Sequence, residues 1–237
     1  DAALRGTLFH NVLADFTRTF PSGSLPDNAY ATLLAIGKAH FADQWSTPAI
    51  RYFWWPRFEM VAGWIIETEK QRRSDLAYIY AEQKGSTILT GPAGPVELSA
   101  RADRLEKTKD GAWHIIDYKT GIAPSKRKVA AGRATQLLIE ALIAWDGGYD
   151  DQLGCDIAKM QYWKLSGRKG KIGDIDDVLP DDITPENTRA MMQALITLYD
   201  NPDIAYPAEP NTKYKLTYNP YRHLARISEW QQEGHDE

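Results

Sequence analysis

The spacing of apolar positions divides the chain into helical segments, then strands, then a mixed C-terminal part. Helical spacing predicts helices at 4–18, at about 28–45, from Thr47-Pro48 toward Arg73 with a candidate kink at Pro56, at 134–146 and at 185–200. Strand patterns occur at 77–90, 95–106, 112–119 and 157–165, and the first is either one strand or a hairpin broken at Lys84-Gly85. This order predicts an α/β (mixed α+β) fold with a small mixed central sheet flanked by helices.

A turn signal joins two of the predicted strands. Lys109-Asp110-Gly111 lies between apolar segments and is typical of a hairpin turn. If these three residues form the loop, Thr108 pairs with Ala112 and Asp103 falls directly opposite Asp117. A two-residue Asp-Gly turn would shift the register by one and separate the two carboxylates.

The predicted hairpin brings two carboxylates and an ammonium group together. Asp117 and Lys119 lie two residues apart on one strand, so both point to the same face as the opposing Asp103. Carboxylates directly opposite each other repel, and a divalent cation such as Mg²⁺ or Mn²⁺ removes that repulsion. An Asp-x-Lys triplet alone is more often a solvated strand end, but the opposed Asp103 favours a metal-dependent catalytic site.

Composition limits the other possibilities. The chain has 237 residues, 43% of them hydrophobic, and a formal net charge of −4, so we expect one large domain or two small ones. No apolar run approaches the ~20 residues of a membrane span and no signal peptide opens the chain, so we expect no membrane association. Cys155 is the single cysteine, which excludes an internal disulfide and an all-cysteine iron–sulfur cluster and makes the cytoplasm the expected location. Because Asp1 rather than Met begins the chain, we expect a piece excised from a longer protein.

A local basic stretch follows the Asp-x-Lys triplet. Between Tyr118 and Ile139 there is no acidic residue, and the sequence contains Lys119, Lys126, Arg127, Lys128 and Arg133. Such charge suits contacts with nucleic-acid phosphates, and the last four residues are predicted to bind DNA. Without the carboxylates, a solvated loop would be the better interpretation. A second basic, glycine-rich segment at 166–173 is predicted to be a loop and lacks the Walker pattern of a nucleotide site.

Several of these motifs match a known family in order and spacing. The motifs are Arg5-Gly-Thr-Leu-Phe-His10, Ala102-Asp-Arg104, Ile116-Asp-Tyr-Lys-Thr-Gly121 and Gln136. Together they resemble the RecB-like branch of the PD-(D/E)XK nucleases, and within it the C-terminal nuclease domain of AddB-type subunits of helicase–nucleases. The resemblance implies a restriction-endonuclease-like core in one domain over 1–237. Its parts would be helical at 1–75, catalytic sheet and helix at 76–165, and C-terminal helices and tail at 166–237.

The resemblance also implies roles for individual residues. His10, Asp103 and Asp117 would hold the divalent metal ion, with the Tyr118 carbonyl as a further ligand. Lys119 would orient or activate the attacking water and stabilise negative charge on the phosphate.

Three further positions follow from the same family pattern. Gln136 would contact the site or the nucleic-acid backbone as part of the catalytic set, and Arg104 would be structural or phosphate-facing. Glu140 stands where the family often has Tyr, so it is either a solvated helix position or a contact to a metal-bound water.

The implied activity is Mg²⁺- or Mn²⁺-dependent exonucleolytic hydrolysis of DNA in double-strand break repair and recombination. The substrate would be a single-stranded end delivered by an AddA-type helicase–nuclease partner. Many AddB-type domains carry four cysteines for an iron–sulfur cluster, which this chain cannot form. The alternatives are a catalytically silent DNA-binding or scaffolding module and a CRISPR-associated RecB-like exonuclease.

Overall fold

A computed structural model describes residues 2–149, 155–206 and 222–225 of the chain. In these residues one five-stranded mixed sheet lies between two layers of helices, which confirms the predicted fold class. Neighbouring strands are antiparallel except for the central third and fourth, which are parallel. In spatial order, the strands are β1 (Leu76–Gly91), β2 (Gly94–Thr108), β3 (Trp113–Lys119), β4 (Ile157–Arg168) and β5 (Lys171–Asp177).

Five of the helices follow the predicted segments, and the two short helices α4 and α7 were not predicted. They are α1 (Ala2–Thr19), α2 (Ala29–Phe41), α3 (Trp55–Arg72), α4 (Lys126–Ala130), α5 (Gln136–Trp145), α6 (Pro185–Asp200) and α7 (Arg222–Ala225). A π-helical turn at Ile50–Trp54 precedes α3, so Pro56 lies in the first turn of a new helix, where its missing N–H is tolerated. Within the described ranges, none of these helices is both long enough and apolar enough to cross a bilayer.

The two faces of the sheet bury separate apolar clusters. Helices α1, α2 and α3 cover one face, where Ile116 and Tyr118 of β3 are buried, and α5 and α6 cover the other, where Ile115 is buried. Because side chains alternate along a strand, Asp117 points to the same face as Ile115, toward the α5 layer. The parallel pairing of β3 with β4 requires a crossover connection, which contains α4 and α5 and brings α5 onto the sheet beside Asp117.

One of the alternatives left open by the sequence is decided, and one prediction of a loop is wrong. The pattern at 77–90 is one strand and not a hairpin broken at Lys84-Gly85, since Gly85 pairs with Ala100 and packs closely against the ring of Tyr149. The segment 166–173 is not a loop but the end of β4, a tight turn and the start of β5. The region expected to hold C-terminal helices therefore begins with a strand, while 207–221 and 226–237 of the predicted tail lie outside the described residues.

Candidate active site

The β2–β3 hairpin has the predicted register. Its three-residue loop is closed by a 2.8 Å hydrogen bond from the Thr108 N–H to the Ala112 carbonyl. The ladder keeps this register to its last pair, one step before Asp103 and Asp117, which therefore lie opposite each other. At that step the Asp103 carboxylate accepts a 3.0 Å hydrogen bond from the Tyr118 N–H. Asp103 is thus held against the strand that carries Asp117.

Asp117 is buried and is one corner of a triangle of polar contacts with Lys119 and Gln136. Gln136 Nε2 donates to Asp117 Oδ1 at 2.5 Å, and Lys119 Nζ lies 2.6 Å from Asp117 Oδ2. Lys119 also donates to Gln136 Oε1 at 3.3 Å, which closes the triangle. Burial, and after it the charge of Asp103, raise the pKa of Asp117 despite the opposing effect of Lys119. Keeping this carboxylate ionised therefore costs free energy, and a bound cation would remove that cost.

Glu140 belongs to the same site and does not occupy a solvated helix position. It lies one helical turn after Gln136 on α5 and is only 1% exposed. Its Oε1 accepts a hydrogen bond from Gln136 Nε2 at 3.2 Å, while its Oε2 is buried without a hydrogen bond. Burial and the neighbouring charge of Asp117 raise its pKa well above the usual value. A strongly perturbed carboxyl group of this kind is typical of functional sites.

His10 joins the site from α1. Its Nδ1 lies 3.3 Å from Asp103 Oδ2, and its ring meets the Tyr118 ring edge-on at 5.9 Å between centroids. Burial disfavours the charged imidazole, but Asp103 outweighs this effect and the backbone of Tyr118 adds to it, so the pKa of His10 is raised. His10, Asp103 and Glu82 each offer one ligand atom, and the three atoms lie within 4.8 Å of one another.

Glu82 is the site residue that sequence analysis missed. In the β1–β2 register it falls opposite Asp103, so Glu82, Asp103 and Asp117 form a row across three strands. Its φ of 54° lies in the left-handed region, which is rare and strained for a bulky residue and is found disproportionately at functional sites. Its carboxylate also pairs with Arg101 at 2.8 Å, while burial and the charge of Asp103 raise its pKa.

A turn signal could have located Glu82. Gly91 pairs with Gly94, so the β1–β2 connection is a two-residue turn at Pro92-Ala93. Counting back from this turn places Glu82 opposite Asp103 in the same way that the 109–111 loop places Asp103 opposite Asp117. The pattern at 77–90 fits either one strand or a separate hairpin, so it does not by itself pair this segment with β2.

Arg104 lies on the other face of the sheet, away from the carboxylates. It is 1% exposed, and its guanidinium donates to Glu69 at 2.5 Å and to Glu106 at 3.0 Å. It also lies over the ring of Trp163, 5.0 Å from the centroid. Of the two roles left open by the sequence, the structural one is therefore correct and the phosphate-facing one is wrong.

The four predicted DNA-binding residues lie on and after the short helix α4. Lys126 pairs with Asp181 at 2.6 Å, so part of its charge is already balanced. Arg127, Lys128 and Arg133 are exposed. Their contact with DNA stays a prediction.

The donor set fits a hard divalent cation. The three ligand atoms of His10, Glu82 and Asp103 are a ring nitrogen and two carboxylate oxygens. The predicted ligand Asp117 is not one of this group, but its charge interacts with those of Asp103 and His10. Oxygen-rich sites of this kind suit Mg²⁺ and Mn²⁺. The charge of Asp103 contributes to the raised pKa of Asp117. A divalent cation between the carboxylates would relieve this repulsion.

Similar proteins include long bacterial sequences. An uncharacterized protein of Rickettsia bellii is 28% identical over 145 residues, which cover 61% of this chain and 17% of that protein. Another from Rickettsia conorii is 29% identical over 149 residues, covering 61% of this chain and 18% of that protein. The chain therefore spans less than a fifth of the length of these relatives. The crystal structure of SSO0001 overlaps 80% of this chain and 73% of its own at 12% identity, with a TM-score of 0.36, too loose to add to the fold.

The family comparison agrees with the site geometry. The match is to the PD-(D/E)XK nuclease superfamily and extends over residues 1–232, almost the whole chain. Asp103 and the Asp117–Lys119 pair, which the hairpin brings to one place, are of the residue types that give this superfamily its name. With a match of that extent, the chain belongs to the PD-(D/E)XK nuclease superfamily.

Proposed function

We propose that the chain is a Mg²⁺- or Mn²⁺-dependent nuclease that hydrolyses phosphodiester bonds in DNA. The observation that carries this proposal is the row of Glu82, Asp103 and Asp117 across three strands, with Lys119 Nζ 2.6 Å from the last carboxylate. Carboxylates on neighbouring strands repel one another, and this row costs folding free energy. A bound divalent cation would offset that cost, and this supports a metal-dependent reaction.

His10, Glu82, Asp103 and Asp117 would hold the ion, with the Tyr118 carbonyl as an additional ligand. The ring nitrogen of His10 already lies 3.3 Å from the Asp103 carboxylate, so this part of the site needs little rearrangement. When bound, a divalent ion lowers the pKa of coordinated water and neutralises charge on phosphoryl oxygens.

The remaining side chains would position the reactants. Lys119, held by Asp117 and Gln136 and 5.6 Å from the Tyr162 ring centroid, would orient the attacking water and stabilise negative charge on the phosphate. Gln136 would keep Asp117 and Lys119 in their relative positions, since it bonds to both. The free Oε2 of Glu140 would accept a hydrogen bond from a water molecule in the site.

The biological setting that we propose is the exonucleolytic processing of a single-stranded DNA end in double-strand break repair and recombination. The support for this setting is the resemblance of the sequence motifs to AddB-type nuclease domains. The large share of the Rickettsia relatives outside the matched region is compatible with a nuclease domain inside a long protein. An AddA-type helicase–nuclease subunit would then be the partner that delivers the strand.

The test is a cleavage assay on labelled single- and double-stranded DNA in Mg²⁺, Mn²⁺ or EDTA. We expect metal-dependent cutting that is abolished by Asp117→Ala and lowered by about 10²–10³-fold by Lys119→Ala. Asp43→Ala, an exposed carboxylate in the 3₁₀ turn Ala42–Gln44, is the matched control and should cut normally. Circular dichroism should show that all variants remain folded.

Wild-type cleavage by a folded Asp117 or Lys119 variant would refute the proposed site. DNA binding that is equal in EDTA and Mn²⁺, without any cutting, would instead identify a silent DNA-binding module.

A further inference from the structure

A second cluster of cationic side chains lies beside the proposed active site. Arg5 of α1, Arg168 at the end of β4 and Lys171 at the start of β5 line a groove of about 490 Å³, and residues 120–123 after β3 form another part of its wall. Arg57 of α3 lies close enough to Arg5 for their charges to interact. We call this feature the Arg5 groove.

Arg5 is held in the groove with unused hydrogen-bonding capacity. One terminal nitrogen donates to the Thr120 carbonyl at 3.0 Å, while its Nε is buried and has no hydrogen bond. Burial, and after it the charges of Arg57 and Arg168, lower the pKa of Arg5. The guanidinium is therefore fixed among like charges, a situation that a bound anion would relieve.

Most of the positive charge of the groove is not paired within the described ranges, although Asp176 also lines the groove and the charge of Lys171 acts on Asp174. None of the four cationic side chains named above forms an ion pair with a carboxylate there. By contrast, Lys164 in the same groove is paired with Asp174 at 2.6 Å and with Asp176 at 2.8 Å. The groove thus retains several guanidinium and ammonium groups that are available to an external anion.

Packing of the β4–β5 turn against α3 builds this cluster. Gly167 has a φ of 60°, and a Cβ added there would lie 2.6 Å from the Arg57 carbonyl oxygen. Only glycine fits that close approach without strain. The approach brings Arg168 and Lys171 to the start of α3.

The groove adjoins the proposed site along two elements. Thr120, which holds Arg5, directly follows Lys119. Arg5 precedes His10 by five residues on α1, which corresponds to about 7.5 Å along the helix axis. An extended strand with one phosphate at the carboxylates could therefore place a nearby phosphate at Arg5.

We propose that the Arg5 groove binds a phosphate group of the substrate strand near the phosphodiester that is cut. Arg5, Arg168 and Lys171 are its charged ligands, with the guanidinium groups suited to two-pronged contacts with phosphate oxygens. This inference rests on the proposed function, because the ligand is a nucleic-acid strand. An internal diester and a terminal phosphate share this chemistry.

The test measures binding of fluorescent single-stranded DNA in EDTA at several salt concentrations. Arg168 and Lys171 are exposed, so the double variant Arg168→Ala/Lys171→Ala should fold normally. Each lost phosphate contact on a single strand lowers the slope of log K against log salt by about 0.7. Because the groove is proposed to hold one phosphate, we expect the slope of the double variant to be shallower by about 0.7. Lys38→Ala/Lys109→Ala removes the same charge from exposed positions on α2 and in the hairpin turn and should leave the slope near wild type.

Oligonucleotides with a 5′ phosphate, a 3′ phosphate or neither distinguish the two sources of the anion. A preference for one terminal phosphate that the groove variant loses would identify a terminal-phosphate site, and no preference would identify an internal diester. A slope equal to that of the control variant, or no DNA binding by the wild-type chain, would overturn the proposal.

A parallel cleavage assay in Mn²⁺ separates the two proposals. If the wild-type chain cuts DNA but the slope of the groove variant equals that of wild type, the groove proposal is refuted and the proposed hydrolysis is not. If the slope of the groove variant is shallower but the wild-type chain does not cut, the groove proposal is supported and the proposed hydrolysis is refuted.

Discussion

The buried ion network around Arg104 allows a stability effect to be worked out from the structure. Arg104 donates to Glu69 and Glu106, whose side chains are fully buried. Arg104→Met keeps much of the apolar volume but removes the cation between these carboxylates. Breaking a buried pair by removing one partner costs about 3–5 kcal/mol. Because Glu69 keeps Arg73 at 2.6 Å and Glu106 keeps Arg72 at 2.5 Å, we expect the lower end, about 3 kcal/mol.

The assay is urea and thermal unfolding followed by circular dichroism at pH 7. For a chain of this size each kcal/mol lowers Tm by about 2–4 °C, so the variant should melt about 6–12 °C below wild type. Arg18→Met is the control, since its pair with Asp15 is exposed and such pairs contribute about 0–1 kcal/mol. Cleavage per folded molecule should not change, because the guanidinium lies on the face of the sheet away from the site.

The pH dependence has a definite sign. Burial disfavours the ionised Glu106, but Arg104, His114 and Arg72 outweigh it and hold its pKa well below the usual range. A carboxylate whose pKa is lowered by folding stabilises the protein above its unfolded pKa of about 4.3, and this stabilisation is lost as the pH falls below that value. The stability difference between wild type and Arg104→Met should therefore narrow below about pH 4. Equal stability at pH 7, a constant difference down to pH 3, or lost cleavage in the folded variant would refute the structural role.

Three further substitutions test the site and its frame. Gln136→Leu removes the donor to Asp117 and should weaken Mn²⁺ binding by about 10–100-fold in calorimetry; unchanged affinity would show that Asp117 needs no such support. Glu82→Gln should also weaken Mn²⁺ binding, whereas Glu97→Gln, exposed on β2, should not, and equal behaviour would exclude Glu82 as a ligand. Gly167→Ala should lower the free energy of unfolding by about 1–3 kcal/mol. Gly170→Ala, which has a positive φ but open space around it, should cost less, and the reverse order would contradict the packing argument.

Local sequence patterns determined most of the secondary structure and half of the site. The loop at 109–111 sets the hairpin register, so Asp103 opposite Asp117 and Lys119 on the same face could be predicted before any tertiary contact was known. Turn chemistry and the two-residue alternation of strands act over a few residues, which is why the sequence contains them in readable form.

At 166–173 the loop predicted from local sequence is wrong. Glycine and basic residues are typical of loops, but pairing between β4 and β5 overrides this preference and makes most of the segment a hairpin. Both Gly167 and Gly170 have a positive φ in the turn of this hairpin, and Gly167 also packs closely against Arg57 of α3.

Only the tertiary structure decided what surrounds the hairpin. The α5 crossover brings Glu140 to Asp117, and Arg104 is buried on the opposite face because α3 supplies Glu69 there. The contact between Arg5 and Thr120 joins residues 115 positions apart. Such contacts depend on which layers pack together and on which face each strand turns inward, and no short-range preference of the chain encodes them.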